Sequence, residues 1–343
     1  MISARLCLIT TIFFLSTALN AAESRYLLKK TGYVEFSQIS EMSGIVKSRR
    51  YDDVYWAHND SGDFPRIFAL NGAGKVIIPG YLQRSYSAEL STEALAEALV
   101  EALVEDKGVK QASAQANRKN IWPGNKIEMA ANLDWEDIST DGNMLYIADT
   151  GNNGNARRDL GVYVVPEPNP AATQDIRALK YLPIAYPGQQ QFPARQWHYD
   201  NESMFFSDGH IYFITKHRQP GKISGWEKGA VLYRLDTDYT DKYNILTEVQ
   251  RNENIMLATG ADVSPDGQQL AVICYTEVWL FKKPANGDHW LSGDARRLPL
   301  DPSQMKTSEA ISWVDNETLL LGNEERDLFT LPTSEIPVYR PGK

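Results

Sequence analysis

Three kinds of segment recur along this chain in a fixed order. Such a repeat constrains the fold more than any other feature, because each repeated unit buries its apolar face only against its neighbours. The first kind is an acidic residue opening a short apolar strand. It reads Glu41-Met42-Ser43-Gly44-Ile45, Trp135-Glu136-Asp137-Ile138, Asn201-Glu202-Ser203-Met204-Phe205, Ala261-Asp262-Val263-Ser264 and Ser308-Glu309-Ala310-Ile311-Ser312. The second is a tight polar turn leading into an apolar run. Asp141-Gly142 precedes 144–148, Asp208-Gly209 precedes 211–214, Asp266-Gly267 precedes 270–273, and Asp315-Asn316 precedes 318–321. Asp-Gly favours the positive φ angles of a two-residue hairpin, so these are read as strand–turn–strand units. The third is an aliphatic–aromatic strand: Ile67-Phe68-Ala69-Leu70, Val162-Tyr163-Val164-Val165, Leu232-Tyr233-Arg234-Leu235, Val278-Trp279-Leu280-Phe281 and Leu328-Phe329-Thr330-Leu331. These residue types suit a half-buried pleated surface.

A fourth, more variable strand is expected after the third, as at 75–78 and 177–184. Four-stranded units repeated at a spacing of roughly 45–70 residues are propeller blades. The fold is therefore read as an all-β, five-bladed β-propeller. A six-bladed ring is the rival count, because Phe68 and Tyr163 lie far apart. The last blade has little chain beyond its third strand. The alternating stretch 32–36 is expected to supply its outer strand, which would close the ring and remove an exposed edge.

The long first gap carries three copies of one tetrapeptide: Glu93-Ala94-Leu95-Ala96, Glu97-Ala98-Leu99-Val100 and Glu101-Ala102-Leu103-Val104. These are strong helix formers, and Leu95, Leu99 and Leu103 share one face. The spacing predicts an amphipathic helix over about 91–106, within an insertion at about 84–126. It would pack on the side of the propeller or dock a partner.

The N-terminus carries Arg5, an apolar stretch over 6–19, and small residues at Ala18, Ala21 and Ala22. That pattern predicts a secretory signal peptide over 1–22, leaving 23–343 as a single domain exported to a periplasm or beyond the cell. A short membrane anchor is the rival reading. Cys7 falls inside the apolar stretch, so only Cys274 would remain and no internal disulfide is expected. Without Arg5 the chain has 34 Lys and Arg against 44 Asp and Glu, a charge of −10 that disfavours nucleic acid as a partner. No later segment is apolar enough to span a membrane.

In a propeller the innermost strands line the central channel. The acidic strand openers and the loops after the second strands then share one rim. This gathers Glu41, Glu136, Glu202, Asp262 and Glu309, with Asp149 and Asp60 close by and Asp137 as an alternative to Glu136. Asp262 lies four residues before its turn, whereas Glu202 and Glu309 lie six before theirs, so it could point elsewhere. Crowded carboxylates repel unless cations or protons compensate them. Calcium takes six to eight oxygens, whereas histidine and cysteine are too sparse here for zinc. The acids are thus read as a Ca²⁺ site, with caps that hold the blades together as the alternative. Arg157, Arg158, Lys216 and Arg218 follow the second strands and would hold a small anionic ligand. His58, or Asp60 beside it, is the candidate general base. No nucleophile elbow, phosphate-binding loop or metalloprotease helix occurs.

The strings Glu41-Met42-Ser43-Gly44, His58-Asn59-Asp60-Ser61-Gly62, Asp134-Trp135-Glu136-Asp137-Ile138, Gly260-Ala261-Asp262-Val263-Ser264-Pro265-Asp266-Gly267 and Glu309-Ala310-Ile311 resemble an exported bacterial propeller group, largely uncharacterised. That group is loosely similar to the phytase-like, esterase-like class. The resemblance implies a calcium-associated propeller and activities from phosphoester to lactone or ester hydrolysis. The catalytic signature of propeller phytases does not occur here. The expectation is therefore a calcium-dependent hydrolase of a small anionic ester, or a non-enzymatic module binding a ligand or an envelope protein.

Overall fold

The computed structural model describes residues 28–83, 85–87 and 121–340. The expected signal peptide over 1–22 and the expected helix over 91–106 lie outside the described residues. Strands are numbered along the chain. The first blade holds β2 (Met42–Lys47), β3 (Tyr55–Asn59), β4 (Arg66–Leu70) and β5 (Asn125–Glu128), and the second holds β6 (Trp135–Thr140), β7 (Met144–Asp149), β8 (Gly161–Pro166) and β10 (Lys180–Ala185). The third holds β11 (Trp197–Ser207), β12 (His210–Gln219), β14 (Ala230–Leu235) and β16 (Thr247–Asn252), with β13 (Lys222–Trp226) paired on the end of β12. The fourth holds β17 (Ala258–Val263), β18 (Gln269–Cys274), β19 (Glu277–Lys282) and β20 (Ala295–Pro299). The fifth holds β21 (Ser308–Trp313), β22 (Thr318–Asn323), β23 (Asp327–Pro332) and β1 (Lys29–Tyr33).

The innermost strands β2, β6, β11, β17 and β21 pack in sequence around one axis, and β21 returns to β2. Five separate apolar clusters fill the five interfaces between neighbouring blades. Each cluster takes the aliphatic–aromatic third strand as one wall; Phe68, Tyr163, Tyr233, Trp279 and Phe329 lie one in each. Five interfaces require five blades, which excludes the six-bladed count.

The ring closes as the sequence predicts. β1 pairs antiparallel with β23 as the outer strand of the last blade. The paired residues are 29–33, slightly before the expected 32–36, while Val34 and Phe36 turn inward and are fully buried against the first blade. Gly32 is required here, since a Cβ would lie 2.6 Å from the carbonyl oxygen of Ala73.

Two expectations need correcting. The outer strand of the first blade does not run over 75–78 alone. Val76 bridges Leu70, and the chain then leaves; Asn125 and Lys126 return to pair with Ile67 and Arg66 on the same strand. The insertion therefore interrupts one outer strand, and Ser87 pairs with Ile121 at its neck. The Asp-Gly turns also differ among themselves. Only Asp208-Gly209 has positive φ at both residues (48° and 82°). Elsewhere the aspartate acts through its side chain: Asp141 accepts from the Asn143 and Met144 amides at 2.7 Å, and Asp315 from Glu317 at 2.8 Å. An Asx turn satisfies the backbone through the aspartate side chain, and only the glycine then takes a positive φ, 97° at Gly142 and 70° at Gly267.

Three of the five outer edges are covered as well. β9 (Asp175–Arg177) adds in parallel to β5, and β15 (Asn244–Ile245) to β10. The tail adds to β20 through Arg296 and Val338. Covered edges cannot template association. Among the described residues, no helix is long and apolar enough to cross a membrane.

Candidate functional site

Every innermost strand carries a β-bulge at the same place. In the pairing with the second strand, one residue is skipped between Met42 and Gly44, Trp135 and Asp137, Asn201 and Ser203, Ala258 and Gly260, and Ser308 and Ala310. The skipped residues are Ser43, Glu136, Glu202, Thr259 and Glu309. Bulges re-aim a side chain and recur beside functional sites. Glu136, Glu202 and Glu309 thus meet at one end of the axis and are all buried. In the other two blades the bulged residue is a hydroxyl that binds the neighbouring blade instead. Ser43 Oγ donates to the Glu136 carbonyl at 2.9 Å, and Thr259 Oγ1 to the Ser308 carbonyl at 2.7 Å.

Two acidic triads overlap on Glu136. Oxygens of Asp60, Asp134 and Glu136 lie within 4.8 Å of one another, as do those of Glu136, Asp200 and Glu202. The second triad carries internal counter-cations. Lys216 Nζ donates to Glu202, and Arg218 reaches Asp200 Oδ2 at 2.9 Å and Glu202 Oε1 at 3.5 Å. The first triad does not: among the described residues, no lysine or arginine pairs with Asp60, Asp134 or Glu136. No group among them donates a hydrogen bond to the Glu136 carboxylate either, although it is only 4% exposed. Gly151 completes the cradle. A Cβ there would lie 2.1 Å from Glu136 Oε1 and 2.3 Å from Asp134 Oδ2.

The electrostatics follow from this crowding. Burial, reinforced by Glu202, Asp60, Asp134 and Asp200, pushes the Glu136 carboxyl well above the carboxylate range. Burial and then Asp60 raise Asp134 to about 6. Burial raises Glu202 to about 7, against the opposing pull of Lys216. Burial works against the Lys216 ammonium, but Glu202 outweighs it and holds the group protonated. At neutral pH this well must take up protons or a cation. Three carboxylates supply part of a calcium shell and leave positions for water or ligand, so the residues fit such an ion.

The remaining rim residues form a second layer. Asp149 Oδ1 accepts from the Asp134 amide at 3.1 Å and from Arg157 Nη2 at 2.8 Å, so both residues hold the well from behind. Tyr275, from the loop after β18, accepts from Lys216 Nζ at 2.8 Å and donates to Glu309 Oε1 at 3.2 Å. Burial, then Glu202, pushes Glu309 well above its usual range, and a hydrogen bond joins it to Glu324.

Not every predicted residue comes to this well. Asp262 lies three residues beyond the bulge and points toward the other mouth of the channel. Its Oδ2 accepts from Ser312 Oγ at 2.9 Å and the Trp313 amide at 3.0 Å, a clamp between the fourth and fifth blades. It borders a separate concavity of about 350 Å³ with Lys47, Arg49 and Tyr51, far from the acids. Asp137 points along the axis and accepts from the Ile138, Met204 and Ala261 amides at 2.8, 2.7 and 3.2 Å, tying three blades. Glu41 is exposed and precedes its bulge by two residues, the position of Asp134 and Asp200. His58 is fully buried in the channel wall. Its Nδ1 faces the Asn59 carbonyl, its ring meets Trp135 edge-on, and burial lowers its pKa to about 4. Arg158 is exposed and lies over Phe192, outside the well.

Asp134 and Asp200 are the acids that the pattern of strand openers misses. The spacing Asp134-x-Glu136 and Asp200-x-Glu202 would have found both. Tyr275 has no such signature, because its contacts reach Lys216 and Glu309 in other blades.

No protein-family model matches this sequence, and no curated protein matches it. The likeness to exported phytase-like propellers rests on the quoted strings alone. Solved structures with a similar chain course include a luciferin-regenerating enzyme, at 8% identity and TM-score 0.42, covering 91% of this chain and 77% of that one. The PQQ-bound aldose sugar dehydrogenase of Streptomyces coelicolor aligns at 8% identity and TM-score 0.42, over 89% and 97%. The gluconolactonase XC5397 of Xanthomonas campestris aligns at 12% identity and TM-score 0.36, over 88% and 87%. At these values no role is transferred from them.

Proposed function

We propose that this β-propeller is an exported protein that binds a divalent cation, calcium by ligand chemistry, between Asp60, Asp134 and Glu136. We propose further that it hydrolyses a small anionic ester there, a phosphoester in first place and a lactone next. One observation carries the reading. Among the described residues, Glu136 is a buried carboxyl with no hydrogen-bond donor and no ion-pairing cation, and it faces two further acids. Ionising a carboxyl in such a place is expensive, and a bound cation would remove the penalty. When bound, the ion would polarise the ester and lower the pKa of a water.

The chain's own residues divide the remaining work. Gly151 lets the backbone approach the acids without a side chain in the way. Lys216 and Arg218 bring positive charge to the wall of the well, Lys216 from behind Glu202 and Arg218 at its edge beside Asp200, which favours an anionic ligand there. Burial raises the Glu309 carboxyl well above its usual range beside Glu324, which suits it to deliver a proton to a leaving oxygen. His58 is too deeply buried and too weakly basic for that task.

A second reading has its own support. Lys216, Arg218 and Arg157 already pair with carboxylates, which favours a module that holds the ion and binds a ligand or an envelope protein without turnover. Hydrolysis assays on phosphoester and lactone panels, with calcium and with chelator, separate the two. The hydrolase reading predicts calcium-dependent turnover that falls at least about 100-fold in Glu136→Gln, the size of a lost electrostatic contact. A folded, calcium-loaded protein inactive on both panels contradicts it.

A further inference from the structure

Seven of the eight tryptophans are buried, and Trp226 alone is exposed, at 48%. It stands beside Tyr275, whose hydroxyl reaches Lys216 and Glu309 at the rim of the acidic well. The third blade is unlike the others in carrying an arm. β11 has 11 residues and β12 has 10, where the second strands of the other blades have 5 or 6, and β13 folds back on the end of β12. Trp226 pairs directly with Arg218 across this hairpin. Directly opposed residues share a face of the sheet, and Arg218 directs its guanidinium to Asp200 and Glu202. Trp226 therefore lies on the face of the arm that turns toward the acids.

Two further contacts fix it there. Its ring lies 6.2 Å from that of Tyr275, tilted by 58°, and Tyr275 holds Lys216 and Glu309 through its hydroxyl. Arg218 Nη1 donates to the Ile223 carbonyl at 2.6 Å, which ties the tip of the arm to the same guanidinium that neutralises Asp200. Ile223 beside it is also exposed. An indole held half in water at the lip of a polar well has an open face, and flat apolar surfaces stack on such a face.

We infer that Trp226, backed by Tyr275, is the specificity platform of this site, and that its substrate is an ester bearing an aromatic ring. The ring stacks on the indole while the ester group reaches the acids. This rests on the hydrolase reading above for the word substrate; the platform itself requires only binding. Trp226 is a positioning residue and touches no reacting atom.

The test uses calcium-loaded protein with phenylphosphonate and methylphosphonate, which are not turned over. The wild type is expected to bind the phenyl compound about 3- to 10-fold more tightly by calorimetry, the range of one aromatic contact. Phenylphosphonate should also shield the accessible tryptophan emission from acrylamide. Trp226→Ala should erase the difference and leave methylphosphonate affinity and the calcium thermal shift unchanged; Trp226→Phe should keep most of the difference. Equal binding of the two phosphonates, or a phenyl preference that survives Trp226→Ala, overturns the inference. If neither phosphonate binds, the anionic-ester reading falls, and the uncharged pair dihydrocoumarin and δ-valerolactone decides the platform. Shielding of Trp226 by the aromatic lactone alone upholds it, and no shielding by either overturns it.

Discussion

Glu136→Gln should make the metal-free protein more stable and abolish its response to calcium. The carboxyls around Glu136 are strained by burial and by one another. Asp134 is raised from 3.8 to about 6 and Glu202 from 4.5 to about 7. At 1.36 kcal/mol per unit, ionising each of them in the folded protein costs about 3 kcal/mol. The folded state holds these protons more tightly than the unfolded chain. Their contribution is therefore fully present below the unfolded values, near 4, and is lost as pH rises through about 6 to 7. In chelator, the wild type should melt higher at about pH 5 than at about pH 8. Calcium at 100 times its dissociation constant would return about 2.7 kcal/mol at the higher pH. At about 2 °C per kcal/mol for a domain of this size, that is a rise of about 5 °C. The Gln variant keeps the shape but cannot ionise, so in chelator at the higher pH it should melt a few degrees above the wild type. Calcium should then move it little. Melting curves followed by circular dichroism, at both pH values and with and without calcium, read all of this. A Gln variant that melts below the wild type in chelator and gains as much from calcium would refute the reasoning. Glu136 would then be a satisfied structural carboxylate.

Three other substitutions probe the rest of the account. Gly151→Ala puts a Cβ against Glu136 Oε1 and Asp134 Oδ2, so calcium affinity should fall at least about 10-fold, a change of about 1.4 kcal/mol, by calorimetry. Asp137→Ala strands the Ile138, Met204 and Ala261 amides, which it accepts from at the axis. With about 1–3 kcal/mol for each buried group left without a partner, urea unfolding should show a loss of at least about 3 kcal/mol. His58→Ala removes a fully buried ring from beside Trp135 and should lose about 3 kcal/mol of stability with calcium affinity unchanged. A loss of turnover at unchanged stability would instead restore His58 as a catalytic residue.

The five blades were legible because each third strand repeats an aliphatic–aromatic pair that must lie between two sheets, and five such pairs need five interfaces. The closing strand was legible from what the last blade lacked. Among the acids, Glu136, Glu202 and Glu309 were legible because each opens its strand at the bulge. Asp262 sits three residues beyond its bulge, and that offset is the difference between facing the well and clamping Trp313 at the other mouth. Glu41 takes the place of Asp134 and Asp200 in the first blade, but stays exposed at its edge. The pairing of Lys216 with Glu202, and of Tyr275 with both Lys216 and Glu309, was not legible. These contacts join residues in different strands and blades, up to 59 positions apart, and no local periodicity records them. The interruption of the first blade's outer strand was hidden for the same reason, since its two halves are separated by the whole insertion.

The acids without a paired cation at one mouth of the channel are proposed to hold a divalent cation. Diffraction from crystals grown with calcium, with anomalous differences collected at a long wavelength, tests it most directly. The account predicts one strong anomalous peak among the carboxylates of Asp60, Asp134 and Glu136, absent in crystals of Glu136→Gln. An ordered well containing only water, with no peak in the wild type at saturating calcium, would contradict it.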